Sequence, residues 1–417
     1  MDRRDFLLSS LSAALAMLPG IGSALTPAKP KARVIVVGGG MAGATVAKYL
    51  RVWGDDVAVT LVERNPKYLS NILSSLVLTG QRTMSSLAFG YDTLRDRYGV
   101  NLVFDEASEI DPVAVTVKLA SGGLQAADRV VVAPGIEFDA VPGLVDSNRM
   151  PHAWQAGPQT TLLAQQLAAM PSDGVLVLTV PKAPYRCPPG PYERACLIAD
   201  WLKEHKPRAK LIVLDANADI VAEKENFSKA FAGLYAKIIE YRNGVEISSV
   251  DTDQMKLFTS GGIVRGDVIN LIPQQRASAL VEKAGLVTAA SGGFAPVDVL
   301  SYASTIAPRV HVIGDSSATT QPKAGHIANQ EAKVCADALA RIFAGEQPEP
   351  SPVTNSACYS TITRTQAGWL NAVFQYDRAA KVMSAVPDSL AASAGWSSEN
   401  FKEMGKWFDA LMADTFG

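Results

Sequence analysis

The chain has 417 residues, more than one ordinary core requires, which predicts two or three domains. Charged residues make up 19% of it and the formal net charge is -2, so there is no general electrostatic reason for a nucleic-acid or anionic-membrane partner. Any partner must be recognised by a local surface.

In chain order the N-terminus comes first. "MDRRDFLLSSLSAALAMLPGIGSA" has a basic head (Arg3, Arg4), an apolar run over residues 6–18 and small residues before Ala24. That is the layout of an export signal, here residues 1–24. The run is shorter than the roughly 20 residues a spanning helix needs. The paired arginines before "DFLL" resemble a twin-arginine signal, with Asp2 where Ser or Thr is usual, and predict export of the folded protein to the periplasm. No later stretch reaches spanning length without a charge, so no integral span is expected in the mature protein. An oxidising compartment allows disulfides among the four cysteines, Cys187, Cys196, Cys335 and Cys358.

"ARVIVVGGGMAGATVAKYL" is an apolar strand feeding a helix through Gly38, Gly40 and Gly43. In such a turn the first glycine makes the bend, the second admits a pyrophosphate to the backbone, and the third lets helix pack on strand. "VAVTLVER" is a second strand ending in Glu63, twenty residues past Gly43, where a carboxylate can accept from ribose hydroxyls, with Arg64 beside it. Two later segments resemble marks of the two-dinucleotide-domain flavoprotein reductases. "RVVVAPGIEFD" looks like their strand and small-residue turn, at Pro134 and Gly135. "RVHVIGDSS" looks like the strand whose terminal carboxylate, here Asp315, holds the flavin ribityl chain. The following "QPKAGHIANQEAKVCADALARIF" carries Lys323 and helical periodicity from about Gly325, which would point a helix N-terminus at a flavin ring. FAD is therefore the expected cofactor.

A second strand-helix-strand unit follows, with strands over 173–180 and 209–217 and a helix over 192–203. Its connecting turn, "PKAPYRCPPGPYERA", offers only Gly190 and has prolines at 184, 188, 189 and 191, each removing a backbone donor. No NAD(P)H site is expected there; the loop would present Cys187 to the flavin instead. Cys358, in "PSPVTNSACYSTI", reads as part of an exposed connector. A Cys187–Cys358 pair would be either a redox-active disulfide beside the flavin or a structural tie for the C-terminal segment. Glu193 reads as a proton acceptor or as a plain first-turn acid complementing the helix dipole. Cys196 and Cys335 read as buried fillers. His152, His205, His311 and His326 have no ligand-like spacing, and no metal site is expected.

Together, "YRCPPGPYERA", "MPHAWQAG", "DVINLIPQQRA", "VIGDSS" with "QPKAGHIAN", "NSACYS" and "KWFDALMADTFG" resemble the flavoprotein subunit of flavocytochrome c sulfide dehydrogenase, over about residues 33–417. The resemblance implies an α/β fold of two Rossmann-like, glutathione-reductase-like dinucleotide-binding domains plus a small C-terminal α+β domain. It implies an FAD domain at 32–146 and 282–350, a second domain without a nucleotide site at 147–281, and a C-terminal domain at 351–417. It also implies Cys187 and Cys358 as a redox disulfide above the flavin, Glu193 as acid/base, and oxidation of sulfide to sulfur or polysulfide with electrons leaving to a c-type cytochrome subunit. The sequence has no CxxCH, so that haem belongs to another chain. Family members with covalent flavin use a cysteine where "NPKYLSN" has Lys67, which predicts noncovalent FAD. Two related readings stand beside this one: a sulfide:quinone oxidoreductase, and an auxiliary flavoprotein that keeps a thiol of a thiosulfate-oxidising system in its working redox state. The tail 399–417 has an apolar helical stripe and a mixed-sign polar face, which suits docking on the flavin domain or a partner better than a bilayer.

Overall fold

In the computed structural model, which describes residues 30–417, β1 (Ala32–Val37) runs through the middle of the larger sheet. The predicted export signal lies outside the described residues. β1 pairs in parallel with β2 (Val57–Glu63) on one side and with Arg129–Val132 on the other. Asn101–Phe104 and Val310–Val312 extend the sheet in parallel beyond these. The run ARVIVV lacks apolar/polar alternation because both faces are covered. Val34 and Val36 join a core with Ala44 and Leu50 of α1 (Met41–Trp53), whereas Ile35 and Val37 meet Ile110, Val117 and Leu119 of a small antiparallel sheet.

The chain crosses to a second, four-stranded parallel sheet and back, and the two crossing segments, Ile136–Phe138 and Gln275–Ala277, pair with each other. In that sheet β3 (Val175–Val180) and β4 (Lys210–Asp215) flank α2 (Gly190–His205). α2 begins two residues before the expected 192. Pro189 caps it and Pro191 lies in its first turn, where a missing N–H leaves nothing unpaired, so these prolines open a helix as well as stiffening a loop. Ala195, Cys196, Ile198 and Leu202 pack on Leu176, Leu178 and Val180, and Cys196 is fully buried.

α3 (Gly325–Phe343) packs beside α1 under the first sheet and buries Cys335 completely. Beyond it β5 (Val353–Thr363) and β6 (Gln366–Asp377) form a long antiparallel hairpin, with Val382–Ala385 as a third strand. Cys358 stands in the middle of β5, paired with Leu370, and not in a connector as its neighbours suggest. The Ser, Thr and Asn residues there have loop-like composition, yet Thr354 and Ser356 are buried and Val353 and Asn355 exposed, the period-2 pattern of a strand.

α4 (Ser398–Phe416) closes the chain, its N-cap Ser397 hydroxyl accepting the Asn400 N–H at 3.1 Å. Met404, Phe408, Leu411 and Met412 sink into the first core, each such burial contributing about 1.5–3 kcal/mol. Phe416 stacks on Tyr68 and Phe89 at 5.1 and 5.6 Å. Asp414 accepts from Tyr49 at 2.6 Å and Asn329 at 2.8 Å and pairs with Lys333 at 2.8 Å. The apolar stripe thus faces α1 and α3. Among the described residues no helix is long and apolar enough to cross a membrane.

Candidate active site

A cavity of about 750 Å³ opens between the two sheets and the hairpin. Gly38, Gly40, Glu63, Arg64, Pro134, Gly135 and Asp315 line it, as do Cys187, Glu193 and Cys358. Gly43 is behind the wall. A Cβ there would lie 1.7 Å from the Gly38 carbonyl oxygen, so its absence lets α1 seat on the turn; Gly38 itself has φ of 95° and would meet the Ala133 carbonyl at 2.5 Å. Glu63 accepts the Gly39 N–H at 2.7 Å and the Asn65 N–H at 2.8 Å. Arg64 is exposed, 3.9 Å from Glu106. Lys323 is also behind the wall: its ammonium donates to the Ser317 carbonyl at 2.8 Å and lies 3.7 Å over the Phe294 ring.

Asp315 Oδ1 is buried with no hydrogen-bond partner. Burial raises its pKa, while Arg186 and Lys323 pull it down. An orphaned acceptor on a cavity wall is what a ribityl hydroxyl would satisfy. With the glycine turn, Glu63 and the N-terminus of α3 at Gly325 and His326 facing the same space, the residues fit FAD.

Cys187 is held from three sides. Its N–H donates to the Lys323 carbonyl at 2.7 Å, its carbonyl accepts from Gly190 at 2.9 Å, and its φ is 59°, in the left-handed region. A Cβ on Gly190 would lie 2.8 Å from both the Cys187 sulfur and the Trp154 ring, so Gly190 makes room for a sulfur and not for a phosphate. Arg186 binds the Trp154 carbonyl, and Trp154 Nε1 returns a bond to the Arg186 carbonyl at 3.2 Å. Arg194, nearly fully buried, donates to Asn270 at 2.9 Å and the Ala153 carbonyl at 2.8 Å, and stacks on Trp154 at 4.6 Å. Burial lowers its pKa to about 9. Arg186, Trp154, Arg194 and Asn270 were not singled out individually from the sequence; a guanidinium satisfied by carbonyls leaves no local pattern.

Cys358 enters the same cavity from β5, and the structure thus brings together all three expected catalytic residues. The two thiols are unlinked. Burial pushes both up, and so do the nearby carboxylates. Glu193, at the start of α2, accepts from the Thr361 N–H and hydroxyl of β5; burial raises its pKa and Thr361 opposes the rise. At the corresponding end of the second sheet, Asp215 is fully buried and accepts from Tyr192 at 2.7 Å, Tyr241 at 2.8 Å, and the Asn217 N–H and side-chain amide, both at 2.8 Å. Among the described residues no cluster suited to a metal ion occurs.

Residues 32–160 match the pyridine nucleotide-disulphide oxidoreductase model. Residues 160–273 match the central domain of the sulfide dehydrogenase [flavocytochrome c] flavoprotein chain, and 350–416 match the flavin-binding domain of flavocytochrome c sulphide dehydrogenase. Solved structures share the fold. The sulfide:quinone oxidoreductase of Aquifex aeolicus superposes with a TM-score of 0.77 at 16% identity, over 92% of this chain and 91% of that one. An NAD-dependent persulfide reductase from A. fulgidus gives 0.61 at 16%, over 92% and 77%. A putidaredoxin reductase–putidaredoxin complex gives 0.63 at 17%, over 93% and 94%. With an α/β fold of this type, a cavity built for FAD and two family-specific domains around its cysteines, the chain belongs to the flavoprotein family of flavocytochrome c sulfide dehydrogenase, oxidoreductases that oxidise sulfide with a flavin.

Proposed function

We propose that the protein works in the periplasm, opens a Cys187–Cys358 disulfide with sulfide beside noncovalently bound FAD, and passes the electrons to a haem on a separate c-type cytochrome. The observation that carries this is the convergence of Cys187, Cys358 and Glu193, from distant segments, on one wall of the FAD cavity. HS⁻ attacks one sulfur; the S–S bond breaks and leaves a persulfide on one cysteine and a thiolate on the other. Glu193, kept acidic only weakly by its burial, takes up or returns the proton. Bound FAD supplies the acceptor for the electron pair and releases it one electron at a time. The rigid loop fixes Cys187 for this contact.

Two features support a donor other than NAD(P)H. The loop at 181–195 spends its one glycine on the cysteine sulfur, and Asp215 has its lone pairs occupied by two tyrosines and Asn217. Docking of α4 onto α1 and α3 leaves its stripe little to offer a bilayer, which favours a cytochrome over a quinone as acceptor. Lys67 lines the cavity and has no thiol to form a flavin thioether. The export signal and the absence of CxxCH support the periplasm and a haem on another chain.

Anaerobic titration with sulfide and then with NADH, following the visible band of the oxidised flavin, tests the reading. Bleaching by sulfide is expected; bleaching by NADH and not by sulfide would overturn it.

A further inference from the structure

The scheme above uses Glu193, yet a second buried carboxylate stands near Cys358. Glu223 is only 9% exposed and sits at φ of 49°, ahead of the short helix Lys224–Lys229. The Ser360 hydroxyl donates to its Oε1 and Asn226 also bonds it, while Oε2 is buried and has no partner among the described residues. Gly368, opposite Ser360 in the hairpin, makes the space: a Cβ there would lie 3.2 Å from Oε2. Cys358 and Ser360 are two residues apart on β5, so their side chains share a face, about 7 Å apart along it. The ionisable groups facing Glu223 are Glu193 and Cys196 from α2 and Cys358 from β5.

Each thiol's charge disfavours ionisation of the other, so the opened pair carries one thiolate. Beside Cys187 stand Arg186 and the Gly190 N–H at the start of α2, both of which favour a negative sulfur. Beside Cys358 the charges are Glu223 and then Glu193, and neither does.

We propose that Glu223 keeps negative charge off Cys358, so that sulfide attacks the Cys358 sulfur and Cys187 leaves as the thiolate. This rests on the disulfide route proposed above. The HS–S bond forms at Cys358, the Cys187–Cys358 bond breaks with its electron pair going to Cys187, and the sulfide proton stays on the terminal sulfur of the persulfide. Glu223 acts through its charge and through Ser360; it is a positioning residue.

The test adds one equivalent of sulfide anaerobically to the FAD-loaded protein, quenches in acid, alkylates, and locates the persulfide by peptide mass. It is expected on Cys358. In Glu223→Gln the share on Cys187 rises roughly tenfold, and Glu223→Asp keeps the original pattern. In parallel, the pH dependence of Cys358 alkylation in the dithionite-reduced, FAD-loaded protein shifts to lower pH in Glu223→Gln; this arm involves no sulfide. A persulfide on Cys187 in the unmodified protein, or a Glu223→Gln variant that folds, holds FAD and changes neither readout, would overturn the proposal. No persulfide on either cysteine, with the alkylation shift present, would instead sink the disulfide route itself and the order of attack with it.

Discussion

Thr361 donates both its backbone N–H and its hydroxyl to one oxygen of Glu193, at 3.1 and 2.8 Å. The bond ties the first turn of α2, just after Cys187, to the strand that carries Cys358, and it opposes the upward push of burial on the Glu193 carboxyl. In Thr361→Val the hydroxyl donor is gone and Glu193 holds its proton to higher pH. The acid limb of kcat/KM for sulfide should move toward higher pH, lowering the acid-end value by roughly tenfold, the scale of a hydrogen bond to a charged group. Sulfide ionises identically in both assays, so superimposable profiles would remove Glu193 from the proton chemistry.

Glu223 makes a different prediction, for stability. Burial lifts its carboxyl from 4.5 to about 7. Between those values the folded chain keeps a proton that the unfolded chain has released, so stability falls as pH rises through that window. The loss is at most about 3 kcal/mol at pH 8. Glu223→Gln has no such loss: its melting temperature should exceed the parent's at pH 8 and approach it at pH 4.5. A difference independent of pH would contradict the buried, unpaired carboxylate.

A methyl group at position 190 would meet the Cys187 sulfur and Trp154 at 2.8 Å, and neither can retreat freely from a loop this constrained. Gly190→Ala should bind FAD normally and lose sulfide-dependent flavin reduction by about 10²-fold, as a misplacement of this size does. Stopped-flow absorbance reads the rate; parental kinetics would show that the sulfur's position is not critical.

The unpartnered Asp315 oxygen predicts weaker flavin retention in Asp315→Ala, because a ribityl hydroxyl would lose its acceptor in a buried site. Flavin-to-protein ratio after dialysis should fall several-fold. A full complement would assign the ribityl chain elsewhere.

Lys67 predicts that acid precipitation releases all the flavin. A yellow pellet, or a flavin mass adduct on any peptide, would refute noncovalent binding.

What was legible in the sequence was local. Gly38 and Gly43 are demanded by carbonyls only a strand or a turn away, Glu63 ends the next strand, and apolar runs such as ARVIVV declare strands covered on both faces. The proline-bracketed Cys187 loop and the helix after it were visible for the same reason: turn chemistry and periodicity are set by neighbours in the chain. The stripe of α4 showed that it must pack, without showing on what.

Only the tertiary structure decided the rest. It moved Cys358 from a supposed connector into a strand, put the Lys323 ammonium behind the cavity wall, turned Gly190 toward a sulfur, and set Glu223, Arg194 and Trp154 around the thiols. None of these has a sequence signature, because the burial of a polar group depends on which remote segments meet and what partners they bring, and that is fixed by packing of the whole core and not by any short period in the chain.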